Sequence, residues 1–237
     1  SMTNPTQSRI RRITQSGRAE VLDGARQTLA ALPYPRYYLD FETIAPAVPF
    51  WPDTRPYAPV PVQWSCHIDD GSADGQHERM AHEEFLDLSG EPPMRSLAEE
   101  LIRCLKHSGP VIMYTRYEEG VLNGLIDRFP DLAPALRKIV QRLFDLHPVV
   151  KANYYHPRML GSWSIKAVTP TIDPHMDYAK LDGIKEGTSA SEGFIEAIDE
   201  TTLPERRAEL EEQLLRYCKF DTQAMAEIVY YFCRKAG

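Results

Sequence analysis

No apolar run in the chain approaches the ~20 residues that a membrane-spanning helix needs, so no span is expected. The first residues, Ser1-Met2-Thr3-Asn4, lack a basic stretch followed by an apolar one, so no secretory signal is expected either. Cysteine is scarce. Cys66, Cys104, Cys218 and Cys233 are scattered without a CxxC spacing, which argues against a zinc or disulfide framework and reads as reduced packing thiols of a cytoplasmic protein. GxGxxG and Walker sequences are missing, so a nucleotide cofactor is not indicated. A basic excess is missing too: 27 Lys and Arg stand against 34 Asp and Glu, a net charge of -7. That argues against a broad nucleic-acid-coating surface. It leaves room for an enzyme that grips a few phosphates through bound metal.

What remains is ordinary globular composition, with 43% hydrophobic and 26% charged residues in 237. This suits one sizeable domain, or one domain with appendages. Ser1 before Met2 reads as a cloning remnant, so a further domain is expected in the natural chain. Residues 1–33 read as a helical N-terminal extension and 34–237 as the main domain. Residues 7–31 end in helical spacing, and Pro33 and Pro35 break it. Residues 36–44 form a first strand. The Pro-rich stretch from Pro46 to Pro61 is a loop. Its Phe50, Trp51 and Tyr57 serve either as a lid or as pins that hold the loop to the body.

Val60–Ile68 and Gln76–Phe85 are expected strands, joined through the turn signal Asp69-Asp70-Gly71. Met94–His107 carries a helical stripe of Leu97, Leu101, Ile102 and Leu105. Val111–Tyr114 is a short buried strand. Tyr117–Phe129 and Leu132–Leu143 read as successive helices. The chain from Val150 to Gly161 reads as loop, and Ser162–Val168 as the start of a helix. Residues 171–203 read as a long irregular insertion with at most one short helix, and Leu203–Phe232 as a strong helix. Strands first, then helix, strand and helices, imply an α/β mixed sheet with flanking helices.

Two clusters carry chemistry. Tyr37-Tyr38-Leu39-Asp40-Phe41-Glu42-Thr43 places two carboxylates two residues apart in a β-prone run. In a strand they share one face while Leu39 and Phe41 take the other. Like charges side by side repel, whereas a hard divalent cation wants several oxygen ligands. Asp-x-Glu also occurs on solvated edge strands. In the late helix, Tyr217 and Asp221 are four residues apart and share a face. Asp221 either points outward beside Lys219 and Gln223 or sits among Phe220, Met225 and Ile228, where an acid is costly unless paired or metal-bound.

Asp40 and Glu42 on the first strand, an acid opening a mid-chain helix, and Tyr217-x-x-x-Asp221 on a late helix together resemble the DEDD superfamily of 3′→5′ exonucleases, nearest its tyrosine-bearing branch. Leu39–Thr43, Val111–Leu122, Leu143–Val150, Tyr155–Val168 and Tyr217–Met225 are also similar to an uncharacterised bacterial domain family of RNase H-like type, DUF2779. The resemblance implies an RNase H-like mixed sheet flanked by helices. It also implies two Mg²⁺ or Mn²⁺ ions about 3.5–4 Å apart, held by Asp40, Glu42, Glu118 and Asp221, with Asp40 bridging.

Glu118 is the choice for the second motif, with Glu119 one residue away as the fallback. A glutamate where most of these enzymes carry aspartate is a departure. Tyr217 would orient the attacking water. The implied substrate is single-stranded DNA or RNA, or a short oligonucleotide. The rivals are a catalytically impaired nucleic-acid-binding or scaffold module, and a small-substrate phosphodiesterase. Asp145 either supports the site or caps a helix, Lys166 either touches phosphate or is solvated, and Tyr154, Tyr155, His156 and Arg158 either stack on a terminal base or are plain loop residues. His67, His82, His107, His147 and His175 have no ligand-like spacing.

Overall fold

The computed structural model describes residues 4–73, 79–105 and 108–234. A five-stranded mixed sheet forms its centre. The strands are β2 (Arg36–Ile44), β3 (Val60–Asp69), β4 (Ala81–Leu86), β5 (Val111–Met113) and β6 (Leu143–Asp145), in the order β4-β3-β2-β5-β6. β4, β3 and β2 are antiparallel neighbours, and β5 and β6 run parallel to β2. With helices on both faces, this is the expected α/β arrangement of a mixed sheet flanked by helices.

The period-two pattern of β2 decides what lies on each face. Tyr37, Leu39 and Phe41 enter one core with Leu97 and Leu101 of α3 (Met94–Leu105), Leu122 of α4 (Tyr117–Arg128) and Leu136 of α5 (Ala133–Val140). Burying each such leucine contributes about 2 kcal/mol. Tyr38 faces the other core, with Ile112, Leu146 and Val150 of α6 (Leu146–Asn153), and Met225 and Val229 of α9 (Pro204–Arg234). Asp40 and Glu42 follow Tyr38 on that second face, opposite Ser65 and Gln63 of β3. There Gln63 donates to the Leu214 carbonyl of α9 at 2.9 Å. The acids therefore face the last helix.

β5 is short. It pairs with β2 only at Tyr37 and Tyr38. Beyond that point its chain turns into α4, leaving room at the carboxyl ends of the two parallel strands. Open α/β sheets bind ligands at such a place. Gly109 makes the entry to β5 possible: its φ is +91°, and a Cβ there would stand 1.9 Å from the Pro35 carbonyl oxygen.

Several elements differ from the sequence expectation. The N-terminal helix is two helices, α1 (Pro5–Ser16) and α2 (Gly24–Ala30), around β1 (Glu20–Val21), which pairs antiparallel with β7 (Tyr154–Tyr155). Ala25 and Leu29 are fully buried in the second core. Residues Leu143–Asp145 do not extend a helix; they form β6, because Val111–Met113 offers them a buried edge. The stretch after Val150 is α6, β7 and a 3-10 turn (Pro157–Met159), not loop. Residues 171–203 hold α7's end (Ile165–Ile172) and a full helix, α8 (Gly187–Ile198). The expected strand at 76–85 begins at Ala81; residues 76–78 lie outside the described residues, as do residues 106 and 107 of the expected helix.

Trp51 settles the Pro-rich loop as pinned: its indole N–H donates to the Gly90 carbonyl at 2.8 Å, and its ring meets Phe194 edge-on. No described helix is long and apolar enough to cross a membrane.

Candidate metal centre

One cavity of about 340 Å³ is lined by Asp40, Glu42, Glu118, Tyr217 and Asp221 together. Tyr114, Thr115, Tyr117, His147, Ser164 and Lys166 complete its polar walls. Five residues drawn from β2, α4 and α9 thus meet in one place. β2 supplies two acids because strand pitch repeats every second residue. The first turn of α4 supplies Glu118, where the helix dipole favours an acid. α9 supplies Tyr217 and Asp221 from one face.

Between the two candidates in α4 the structure is unambiguous. Glu118 is 4% exposed and lines the cavity, whereas Glu119 turns away to pair with Arg116 at 2.8 Å. Asp221 is buried, not directed outward beside Lys219. Among the described residues lining the cavity, Lys166 is the only lysine or arginine. Its ammonium donates to the Lys185 carbonyl at 2.8 Å and sits 5.2 Å from the ring centres of both Tyr178 and Tyr217.

Crowded acids resist ionisation. Burial, then the charges of Asp221, Glu42 and Glu118, push the Asp40 carboxyl well above the usual carboxylate range. Glu42 is raised in the same way by burial and Asp221. Glu118 is pushed up to about 7, chiefly by burial. Asp221 rises to about 6 by burial, held back by a hydrogen bond from Tyr178 and by the charge of Lys166. The Tyr217 phenol is raised by burial and by Asp221, so it stays protonated.

Four carboxyls with one neighbouring cation make a donor set that fits a hard divalent ion. Glu118 adds a further mark: its Oε2 atom is buried without a hydrogen-bond partner. A buried polar atom normally finds a partner, and a bound cation would supply one.

Two participants escaped the sequence reading. Tyr178, in the supposedly irregular insertion, donates to Asp221 Oδ1 at 2.5 Å and packs edge-on against Phe220. Cys218 is fully buried, with its Sγ 3.7 Å from Asp40 Oδ2. No local pattern marks Tyr178. Cys218 was legible only as the residue between Tyr217 and Asp221.

Other readings change. Tyr154 and Tyr155 are buried at 1% and 0% exposure, so they do not stack on a base. They pack in the second core, and the Trp163 indole donates to the Tyr154 carbonyl. His156 caps the following turn by accepting from Arg158 N. Asp145 is the N-cap of α6, accepting from His147 N at 3.0 Å, and does not line the cavity. His147 does line it.

The fold and this acid-lined cavity define an α/β domain with a candidate cation site at the carboxyl ends of its parallel strands. The chain belongs to the family described as a domain of unknown function, DUF2779, which matches residues 37–164, more than half of its length. That match includes Asp40, Glu42 and Glu118 and stops before Tyr217 and Asp221. No curated protein and no solved structure matches the chain.

Proposed function

We propose that the protein is a metal-dependent 3′→5′ exonuclease that hydrolyses phosphodiester bonds of single-stranded DNA or RNA. The observation that carries this reading is the convergence of Asp40, Glu42, Glu118 and Asp221, with Tyr217, on one cavity. Asp40, Glu42, Glu118 and Asp221 would hold two Mg²⁺ or Mn²⁺ ions. Such ions, when bound, supply an activated water and stabilise charge on the attacked phosphate and leaving oxygen.

The chain's own groups have separate tasks. The four carboxyls set where the phosphate can sit. Tyr217 stays protonated and orients water by hydrogen bonding rather than by taking its proton. Tyr178 fixes the rotamer of Asp221 and holds one of its oxygens. Lys166, anchored to the Lys185 carbonyl, places positive charge on the cavity wall beside Tyr217.

A polymer suits the surroundings better than a small phosphate. A second, larger groove of about 1030 Å³ lies between the Pro-rich loop and α4, and Tyr117 lines both. Arg55, Arg116 and Arg128 stand along it beside Asp53 and Asp127, and Gly120 and Gly124 keep its α4 wall low. This gives a strand a path to the acids despite the net negative charge. The glutamate in place of the more usual aspartate supports a second reading, a binding module that has lost turnover. The unbridged thiols, three of them buried, suit a reducing compartment, and we place the protein in the cytoplasm.

Labelled single-stranded oligonucleotides incubated with Mn²⁺, with and without EDTA, test the proposal. Asp40→Asn removes a charge at constant shape. Stepwise shortening from the 3′ end is expected for the parent and none for the variant. Equal cleavage by both would overturn the site, and Mn²⁺ uptake without shortening would favour the binding module.

A further inference from the structure

Cys218 stands where the four-carboxylate scheme has no use for a thiol. It is fully buried, on the α9 turn between Tyr217 and Asp221. One ligand atom each from Asp40, Glu42 and Cys218 lie within 4.8 Å of one another. The Sγ of Cys218 is 3.7 Å from Asp40 Oδ2. Tetrahedral coordination with a metal–sulfur bond of ~2.3 Å and a metal–oxygen bond of ~2.1 Å needs an S–O edge of about 3.6 Å. An independent mark points to a cation beside the two carboxylates of this group. Glu118 lines one cavity with Asp40 and Glu42, at 4% exposure and with its Oε2 unpartnered.

We infer that Asp40, Glu42 and Cys218 form a mixed carboxylate–thiolate subsite for a thiophilic divalent cation, of the class of Zn²⁺ or Co²⁺. This builds on the cation site of the proposed hydrolase and adds a second ion class with a different consequence. Magnesium is a hard ion and takes oxygen ligands alone. A borderline ion gains from the sulfur, and its affinity for such a donor set exceeds that of manganese. On binding, the Cys218 thiol gives its proton to the buffer and sulfur becomes a ligand. Asp40 and Glu42 are then committed to a compact four-coordinate arrangement and are withdrawn from the pair of hard ions. Zinc therefore acts as an inhibitor that competes with Mg²⁺, not as an activator.

Cobalt reports the bond directly, because a thiolate ligand gives Co²⁺ a charge-transfer absorption in the near ultraviolet that oxygen ligands do not. The full chain titrated with Co²⁺ should show this band. Cys218→Ser and Asp40→Asn, each checked for folding by circular dichroism, should lack it. Excess Mg²⁺ should erase it in the parent, which tests shared occupancy without any substitution. Zn²⁺ affinity, read by competition with a chromophoric chelator, should fall on the order of tenfold in Cys218→Ser.

Cobalt binding without the band, or a band that survives in Cys218→Ser, overturns the thiolate subsite and leaves the hard-cation site standing. Failure to take up either Co²⁺ or Mn²⁺ overturns both.

Discussion

The Tyr178 hydroxyl and Asp221 Oδ1 lie 2.5 Å apart, in a bond formed between the 3-10 turn Tyr178–Lys180 and the middle of α9. The acid is held from behind, which frees its other oxygen for the cavity. Groups that orient ligands in this way typically matter 10–100-fold in metal affinity.

Tyr178→Phe removes the hydroxyl and keeps the ring between Tyr217 and Phe220. Mn²⁺ affinity should fall about tenfold, and stability by about 1 kcal/mol. Isothermal titration and thermal unfolding read the two effects. A variant with unchanged Mn²⁺ affinity would show that Asp221 needs no support.

Glu118→Gln should make the metal-free protein more stable at neutral pH, by about 1–2 kcal/mol, because a buried acid among acids disfavours the folded state once ionised. The same substitution should weaken Mn²⁺ binding. Denaturant unfolding with EDTA and then with Mn²⁺ separates the two effects. Destabilisation in EDTA would mean that Glu118 is a structural acid.

Tyr217→Phe should lower kcat by about 10- to 100-fold, the scale of a positioned hydrogen bond of ~1.5–3 kcal/mol, and leave Mn²⁺ affinity near that of the parent. Equal losses in both would make Tyr217 a packing residue. Single-turnover cleavage beside metal titration decides between them.

His82 predicts a pH effect away from the cavity. Its Nε2 lies 2.8 Å from Ser65 Oγ, and burial lowers its pKa to about 4. A histidine held neutral in the fold but free to charge when unfolded adds stability above pH ~6.5 and loses it as pH falls toward about 4. The pKa difference corresponds to about 3 kcal/mol at most. Relative to His82→Gln, the parent should lose stability across that window. Parallel pH profiles for the two proteins would refute the assignment.

The sheet was legible because β2 and β3 are long and rich in β-branched and aromatic residues, and α9 because its apolar positions recur over eight turns. β6 was not. Leu143-Phe144-Asp145 is three residues, too short for a period, and becomes a strand only because β5 lies beside it. α8 was hidden by composition: Gly187, Gly193 and two serines weaken helix propensity. Gly193 faces Ile184 and Leu210, and a Cβ there would stand 2.9 Å from Ile184 Cδ1.

The placing of Asp40, Glu42, Glu118, Tyr217 and Asp221 in one cavity was expected from the resemblance of their motifs, in that order, to the DEDD exonucleases. Tyr178 was invisible because its partner lies 43 residues away. The aromatic cluster at 154–158 misled because polar tips on tyrosines say nothing about which core will cover the rings.

Half of the acids come from the first long strand and the fourth from the last helix, so a cation held there would tie the two ends of the domain together. Its binding energy would then be folding energy for the whole unit and not for a loop. A polypeptide released before residue 217 would own β2 and Glu118 yet have no completed cage. Competence would arrive only once the chain has passed the middle of α9.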